Sequence, residues 1–195
     1  MCFLSKALAL ALLLTLTTAA LTPEECANLK KTLSADELHT ISGKWILHEF
    51  YVLSEVEYTG QPMKETNSSW IEFNPADNNQ TFIAKQRFMV NEMCIRYSIH
   101  LTVVGNTLQS AASSPSSASF LKTCDDCLLA HFSNSGGIGT NLLLLYAKTE
   151  KVPQKDQEEV REQAKCLGFQ QPPLFTYTQA ELCPEQSETT KETEE

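Results

Sequence analysis

Between Lys44 and Lys148 the sequence repeats with a period of two. Thr81–Val90 sets Phe82, Ala84, Gln86 and Phe88 against Ile83, Lys85, Arg87 and Met89. Cys94–Val104 sets Ile95, Tyr97, Ile99, Leu101 and Val103 against Arg96, Ser98, His100 and Thr102. Ser69–Phe73 puts Ile71 and Phe73 on one face, and Trp70 and Glu72 on the other. Successive side chains of a strand point to opposite faces, so each run describes a strand with one face in a core. Trp45–Leu53 is a long apolar, aromatic-rich run. Further strands are expected at Thr107–Ala111, Ala118–Thr123, Leu128–Phe132 and Asn141–Lys148. Turn residues separate them at Pro75–Asn79, Val104–Thr107, Asp125–Asp126 and Asn134–Gly137. Roughly eight strands at about ten-residue spacing predict an antiparallel barrel or sandwich.

The flanks read differently. Thr22-Pro-Glu-Glu25 and Ser34-Ala-Asp-Glu37 match the capping box and mark short helical turns before the strands. After Lys148 the period lengthens. Pro153 opens a helix over Gln154–Lys165 whose apolar stripe is Val160, Ala164 and Leu167, and Gly168 ends it. A solitary amphipathic helix packs on the outside of a closed sheet. Leu142–Leu145, apolar on both faces, is the strand for it to cover. Leu174–Tyr177 is a short extended run that returns to the sheet. Residues 1–20 carry one charge, Lys6, an apolar run from Leu8 to Leu16, and a small-residue exit, the pattern of a secretory signal peptide. That run is too short to span a bilayer, which needs about 20 residues. Residues 21–183 form the barrel domain. Residues 184–195 are Glu, Thr, Ser, Gln, Lys and Pro, a tail too polar to bury a core.

The chain has seven cysteines, and Cys2 leaves with the signal. An even set of six in an oxidising compartment reads as three disulfides, with about 15 possible pairings. Cys124 and Cys127 flank a two-residue turn, so they are a plausible local pair. No βαβ pattern surrounds them to make a redox motif. His39, His48, His100 and His131 lack ligand spacing, so no metal is expected. Asn67-Ser-Ser69 and Asn79-Gln-Thr81 are glycosylation sequons that require surface positions. A net charge of -9 and a pI near 5.0 argue against a nucleic-acid partner.

Gly43-Lys44-Trp45, opening the first long strand, resembles the Gly-x-Trp of the lipocalins. The similarity sharpens to the alpha-1-acid glycoprotein and apolipoprotein M branch. It is carried by Thr40-Ile-Ser-Gly-Lys-Trp45, Glu92-Met-Cys-Ile-Arg-Tyr97, Leu144-Leu-Tyr-Ala-Lys148, Ala164-Lys-Cys-Leu167, Phe175-Thr-Tyr and Cys183-Pro. The Thr-Asp-Tyr motif of the larger lipocalin group is absent between the later strands. The resemblance implies an eight-stranded up-and-down barrel with one C-terminal helix outside. It implies the pairs Cys26–Cys166 and Cys94–Cys183, which leaves Cys124 for Cys127. It also implies a ligand in the barrel. The expected lining is the inward set Ile71, Phe73, Phe82, Gln86, Phe88, Tyr97, Ile99, His131, Leu144 and Tyr146. Trp45 is expected at the closed end, as core. Tyr97, Tyr146 and His131 are the favoured polar contacts, since a buried polar tip needs a partner. Fish members of this branch bind the guanidinium toxins saxitoxin and tetrodotoxin. Were the register shifted by one residue, Glu72 would point inward and suit such a cation.

The reading is therefore a secreted, monomeric carrier of a small hydrophobic or amphiphilic molecule, without cofactor or stable membrane insertion. It is not expected to be an enzyme: every mature cysteine has a plausible partner, and no Ser/His/Asp set, paired-carboxylate motif or phosphate loop is present. The alternative is an immunomodulatory, acute-phase-type glycoprotein acting through its surface and glycans.

Overall fold

The computed structural model describes residues 21–53, 65–76, 80–110, 116–135 and 140–185. Residues 1–20, expected to be a signal peptide, residues 186–195 of the expected tail, and Asn79 of the second sequon lie outside them.

A capping box, with Thr22 and Glu25 bonded reciprocally, starts helix α1 (Pro23–Leu29). A 3₁₀ turn over Leu38–Ile41 follows. Eight strands then form the barrel: β1 (Gly43–Val52), β2 (Thr66–Pro75), β3 (Thr81–Val90), β4 (Met93–Val104), β5 (Thr107–Ser110), β6 (Ser117–Leu121), β7 (Cys127–Ser135) and β8 (Thr140–Ala147). Each pairs antiparallel with the next from β2 to β8. β1 closes the sheet by pairing with β8 on one side and β2 on the other. Closure removes the open edges that a sheet of this size would otherwise expose. Asn91 and Glu92 both have positive φ, the backbone of a two-residue hairpin turn between β3 and β4. β2 is longer than its alternating core because a bulge between Thr66 and Ser68 carries pairing past Asn67, which is exposed.

Helix α2 (Gln154–Cys166) ends at Gly168, whose φ is +94°. Beyond it β9 (Phe175–Thr176) adds to β1 opposite Glu49 and Phe50. Val160 and Ala164 of α2 pack with Leu143 and Leu145 of β8 and Leu129 of β7. β8 thus buries both faces, with Leu144 and Tyr146 on the interior side. Gln163, almost fully buried, donates from Nε2 to the carbonyls of Leu29 (3.0 Å) and Lys122 (2.7 Å), tying α2 to the end of α1.

A second bulge, between Leu47 and Glu49 in β1, resets the alternation. Leu47 and Phe50 face the interior although three residues apart, and Glu49 and Tyr51 face outward beneath α2. At the barrel's N-terminal entry Trp45 is buried and donates from Nε1 to the Ile41 carbonyl (2.6 Å). The Lys148 ammonium sits 3.9 Å from its ring centroid and donates to the Ser42 carbonyl. Gly43 has φ +101°, and a Cβ there would stand 3.3 Å from Lys148 Nζ. A glycine two residues before the tryptophan thus lets the chain turn tightly under a lysine that covers the indole. Disulfides join Cys26 to Cys166, Cys94 to Cys183 and Cys124 to Cys127.

Candidate functional site

The inward faces of β3, β6 and β7 carry Ala84, Ala118 and Ala130 where a larger side chain would fill the barrel. Their small size leaves a cavity of about 210 Å³. Its wall is built by Leu47 and Phe50 of β1, Ile71 and Phe73 of β2, Gln86 and Phe88 of β3, and Tyr97, Ile99 and Leu101 of β4. Leu108, Ser116, Phe120, Phe132, Leu142, Leu144 and Tyr146 complete it. The polar side chains in this described wall are Gln86, Tyr97, Ser116 and Tyr146, and all are neutral. An apolar hollow with a few hydrogen-bonding groups is the make-up of a small-molecule site.

Gln86 is opposite Tyr97 across the β3–β4 pair. Its Nε2 donates to Ser69 Oγ (2.8 Å), which donates in turn to the Arg87 carbonyl (2.9 Å). That chain fixes the amide's orientation inside an apolar wall. The Tyr97 ring stacks on Phe88 at 5.7 Å between centroids. Tyr97 is 44% exposed, so this inward-facing ring stands at an opening of the cavity. Tyr146 is deeply buried. Burial first, and the neighbouring Tyr97 second, push its hydroxyl pKa well up, so it stays a protonated donor.

Of the residues expected in the lining, Ile71, Phe73, Gln86, Phe88, Tyr97, Ile99, Leu144 and Tyr146 are brought together around the cavity. His131 is not. Ala130 and Phe132 are the interior residues of β7, and His131 lies on the outer face, edge-on to Phe169 at 6.1 Å. Burial under that segment lowers its pKa. Phe82 faces inward but is packed wholly within the barrel's apolar core and does not reach the cavity. Glu72 does not turn inward either. The register pairs it with Lys85, whose Nζ is 3.8 Å from its carboxylate on the outer surface. Asn67 is exposed. Wall residues outside the expected set are Leu47 and Phe50, hidden by the bulge, together with Leu101, Leu108, Ser116, Phe120, Phe132, Leu142 and the alanines; Ala84 shares the expected inward face of β3, but its small side chain gives no sign of lining a hollow.

Among the described residues, no group of three or more His, Cys, Asp or Glu side chains is placed to hold a metal. None of their helices is long and apolar enough to cross a membrane. All six described cysteines are in disulfides.

A closed antiparallel barrel with an outer C-terminal helix and a hollow apolar interior is the lipocalin fold. The siderocalin Ex-FABP superposes with a TM-score of 0.62 at 10% identity, over 74% of this chain and 99% of its own. A dog lipocalin allergen superposes at 0.52 and 13%, over 66% and 87%. The odorant-binding protein OBP1 superposes at 0.52 and 17%, over 69% and 86%. In sequence the chain is homologous to two proteins of Takifugu pardalis, saxitoxin and tetrodotoxin-binding proteins 1 and 2. They are 23% and 22% identical over 175 aligned positions. Each match covers 80% of this chain and 43% of the relative, so the chain spans less than half the length of these relatives. No family model matches the chain.

Proposed function

We propose that the protein is a secreted carrier that holds one small hydrophobic or amphiphilic molecule in its barrel and catalyses no reaction on it. The observation that carries this reading is the hollow itself: an apolar wall around about 210 Å³, interrupted by Gln86, Tyr97, Ser116 and Tyr146. Secretion is supported by the three disulfides, which persist in oxidising compartments, and by the signal pattern of residues 1–20. Exposed Asn67 supports a glycan on β2. The pairs Cys26–Cys166 and Cys94–Cys183 support placement in the alpha-1-acid glycoprotein branch.

The relatives' names raise saxitoxin and tetrodotoxin as ligands. A guanidinium in this cavity would meet no carboxylate among the described wall residues. Burying an unpaired charge costs several kcal/mol. The reading therefore places an uncharged amphiphile ahead of such a cation. Native mass spectrometry of the protein secreted from animal cells tests it: one co-purifying small molecule per chain is expected, lost on organic extraction. An empty barrel that takes up no member of a lipophile panel would overturn the carrier reading in favour of a surface-acting glycoprotein.

A further inference from the structure

A second hollow lies outside the barrel, between α2, β1 and the chain that leaves the helix. It is a groove of about 570 Å³. At its base is Glu49, turned outward by the β1 bulge and only 3% exposed. A carboxylate withdrawn from water this far needs compensation. The Tyr51 hydroxyl donates to Glu49 Oε2. The other oxygen, Oε1, faces Arg161 Nη2 at 3.6 Å, longer than a charge-assisted hydrogen bond. That guanidinium is half exposed and divides itself with Gln157. The groove's other cation, Lys165, is already held by Glu162 at 2.7 Å. Its third carboxylate, Glu158, accepts from the neutral amide of Gln154. Three carboxylates against two cations leave one negative charge in excess on the exposed rim at Glu158, and the buried Glu49 is held by its own cation only at 3.6 Å.

The base beside that charge is aromatic. Phe169 meets Tyr51 edge-on at 6.3 Å and His131 at 6.1 Å, so its ring is fixed from two sides, and Pro172 also lines the groove. An anion beside a fixed aromatic ring fits an ammonium or guanidinium head carried on an apolar body. We infer that this groove is a binding site for a small organic monocation, with Glu49 holding the charged head and Phe169 and Tyr51 covering the body. Arg161 swings toward solvent as the cation enters. Burial and the adjoining carboxylate raise the Tyr51 pKa, which keeps its hydroxyl a donor to Oε2 and leaves Oε1 for the ligand. The site does not depend on what the barrel carries.

The probe is 2-phenylethylammonium, titrated at low salt into the full mature chain and followed by backbone amide NMR. The neutral isostere 2-phenylethanol is run beside it. The expected result is saturable binding with amide shifts at Tyr51, Arg161 and Phe169, and at least tenfold weaker binding of the alcohol. Glu49→Gln should weaken the ammonium at least tenfold and Glu158→Gln about threefold, both with the barrel amides unmoved. Should Glu49→Gln fail to fold, Glu158→Gln, on the exposed rim, decides the matter. Unchanged affinity in Glu158→Gln, equal binding of the alcohol, or shifts confined to the barrel interior would each overturn the inference.

Discussion

Tyr146 places one hydroxyl in an otherwise apolar stretch of wall, between Leu142, Leu144 and the ring of Tyr97. In the proposed carrier its ring would cover ligand carbon while the hydroxyl donates, so both contributions would vanish together on truncation. Tyr146→Ala should weaken a barrel ligand by roughly 1–3 kcal/mol, about five- to two-hundredfold. The fold should survive, because the space vacated adjoins an existing hollow. Titration followed by tryptophan fluorescence reads it, and full affinity in both Tyr146→Ala and Tyr97→Ala would show that these rings do not touch ligand. On the opposite face of the same wall the histidines report burial. His48 and His131 both have lowered pKa values, chiefly because desolvation disfavours the charged ring. The native chain then binds fewer protons than the unfolded chain below the ordinary value of 6.5. Their effect on stability is nil above that value. As pH falls through 6.5 toward the lowered native values, stability declines. Urea unfolding at pH 7.5 and 5.5 should show this decline, and His131→Gln should make it smaller. An identical decline in the variant would mean that the ring is hydrated in the native state.

At the level of elements, the covalent ties differ in what they constrain. Cys26–Cys166 spans 140 residues of sequence, and Cys124–Cys127 spans three. On the chain-entropy model the long tie removes about 5 kcal/mol of unfolded-state freedom and the short one about 2. Cys26→Ser with Cys166→Ser should therefore lower stability by about 2–5 kcal/mol, and Cys124→Ser with Cys127→Ser by clearly less, in chemical denaturation. Equal losses would sink that ordering. The elements themselves were legible to different degrees. The alternation in β3 and β4 gave their faces directly, since one face of each is polar enough to declare itself. In β7 it did not, because α2 covers the outside and both faces are apolar; β8 is apolar on both faces too, yet Leu144 and Tyr146 lie inside as expected. Hence in β7 His131 was read as interior when Ala130 and Phe132 hold that side. The β1 bulge inverted parity halfway along a strand that is buried from Trp45 to Tyr51, so nothing in the sequence marked Phe50 as wall or Glu49 as outward. The long disulfide pairs came from family resemblance, because spacing alone left many combinations open.

For the molecule as a whole, a hollow core lowers stability where a filled one would raise it. The dispersion contacts missing around the cavity return only when something occupies it. A ligand that binds the native barrel and not the unfolded chain adds RT ln(1 + [L]/Kd), which is about 2.7 kcal/mol at a hundredfold excess over Kd. For a domain of this size each kcal/mol moves the midpoint by about 2–4 °C, so saturation should raise Tm by roughly 5–11 °C. The shift should depend on ligand charge. Of two molecules matched in shape, the neutral one should give the full rise, and one with a cationic group placed to enter the barrel should give little. The described wall has polar groups to orient a dipole and none to neutralise a charge. Differential scanning calorimetry with matched alcohol and amine probes measures both effects. Gln86→Glu supplies the comparison, since it puts a carboxylate opposite Tyr97 at nearly constant volume. In that variant the order should reverse, with the amine now giving the larger shift. If the parent prefers the amine, a carboxylate from elsewhere in the chain must reach the cavity, and the neutral-ligand reading is wrong.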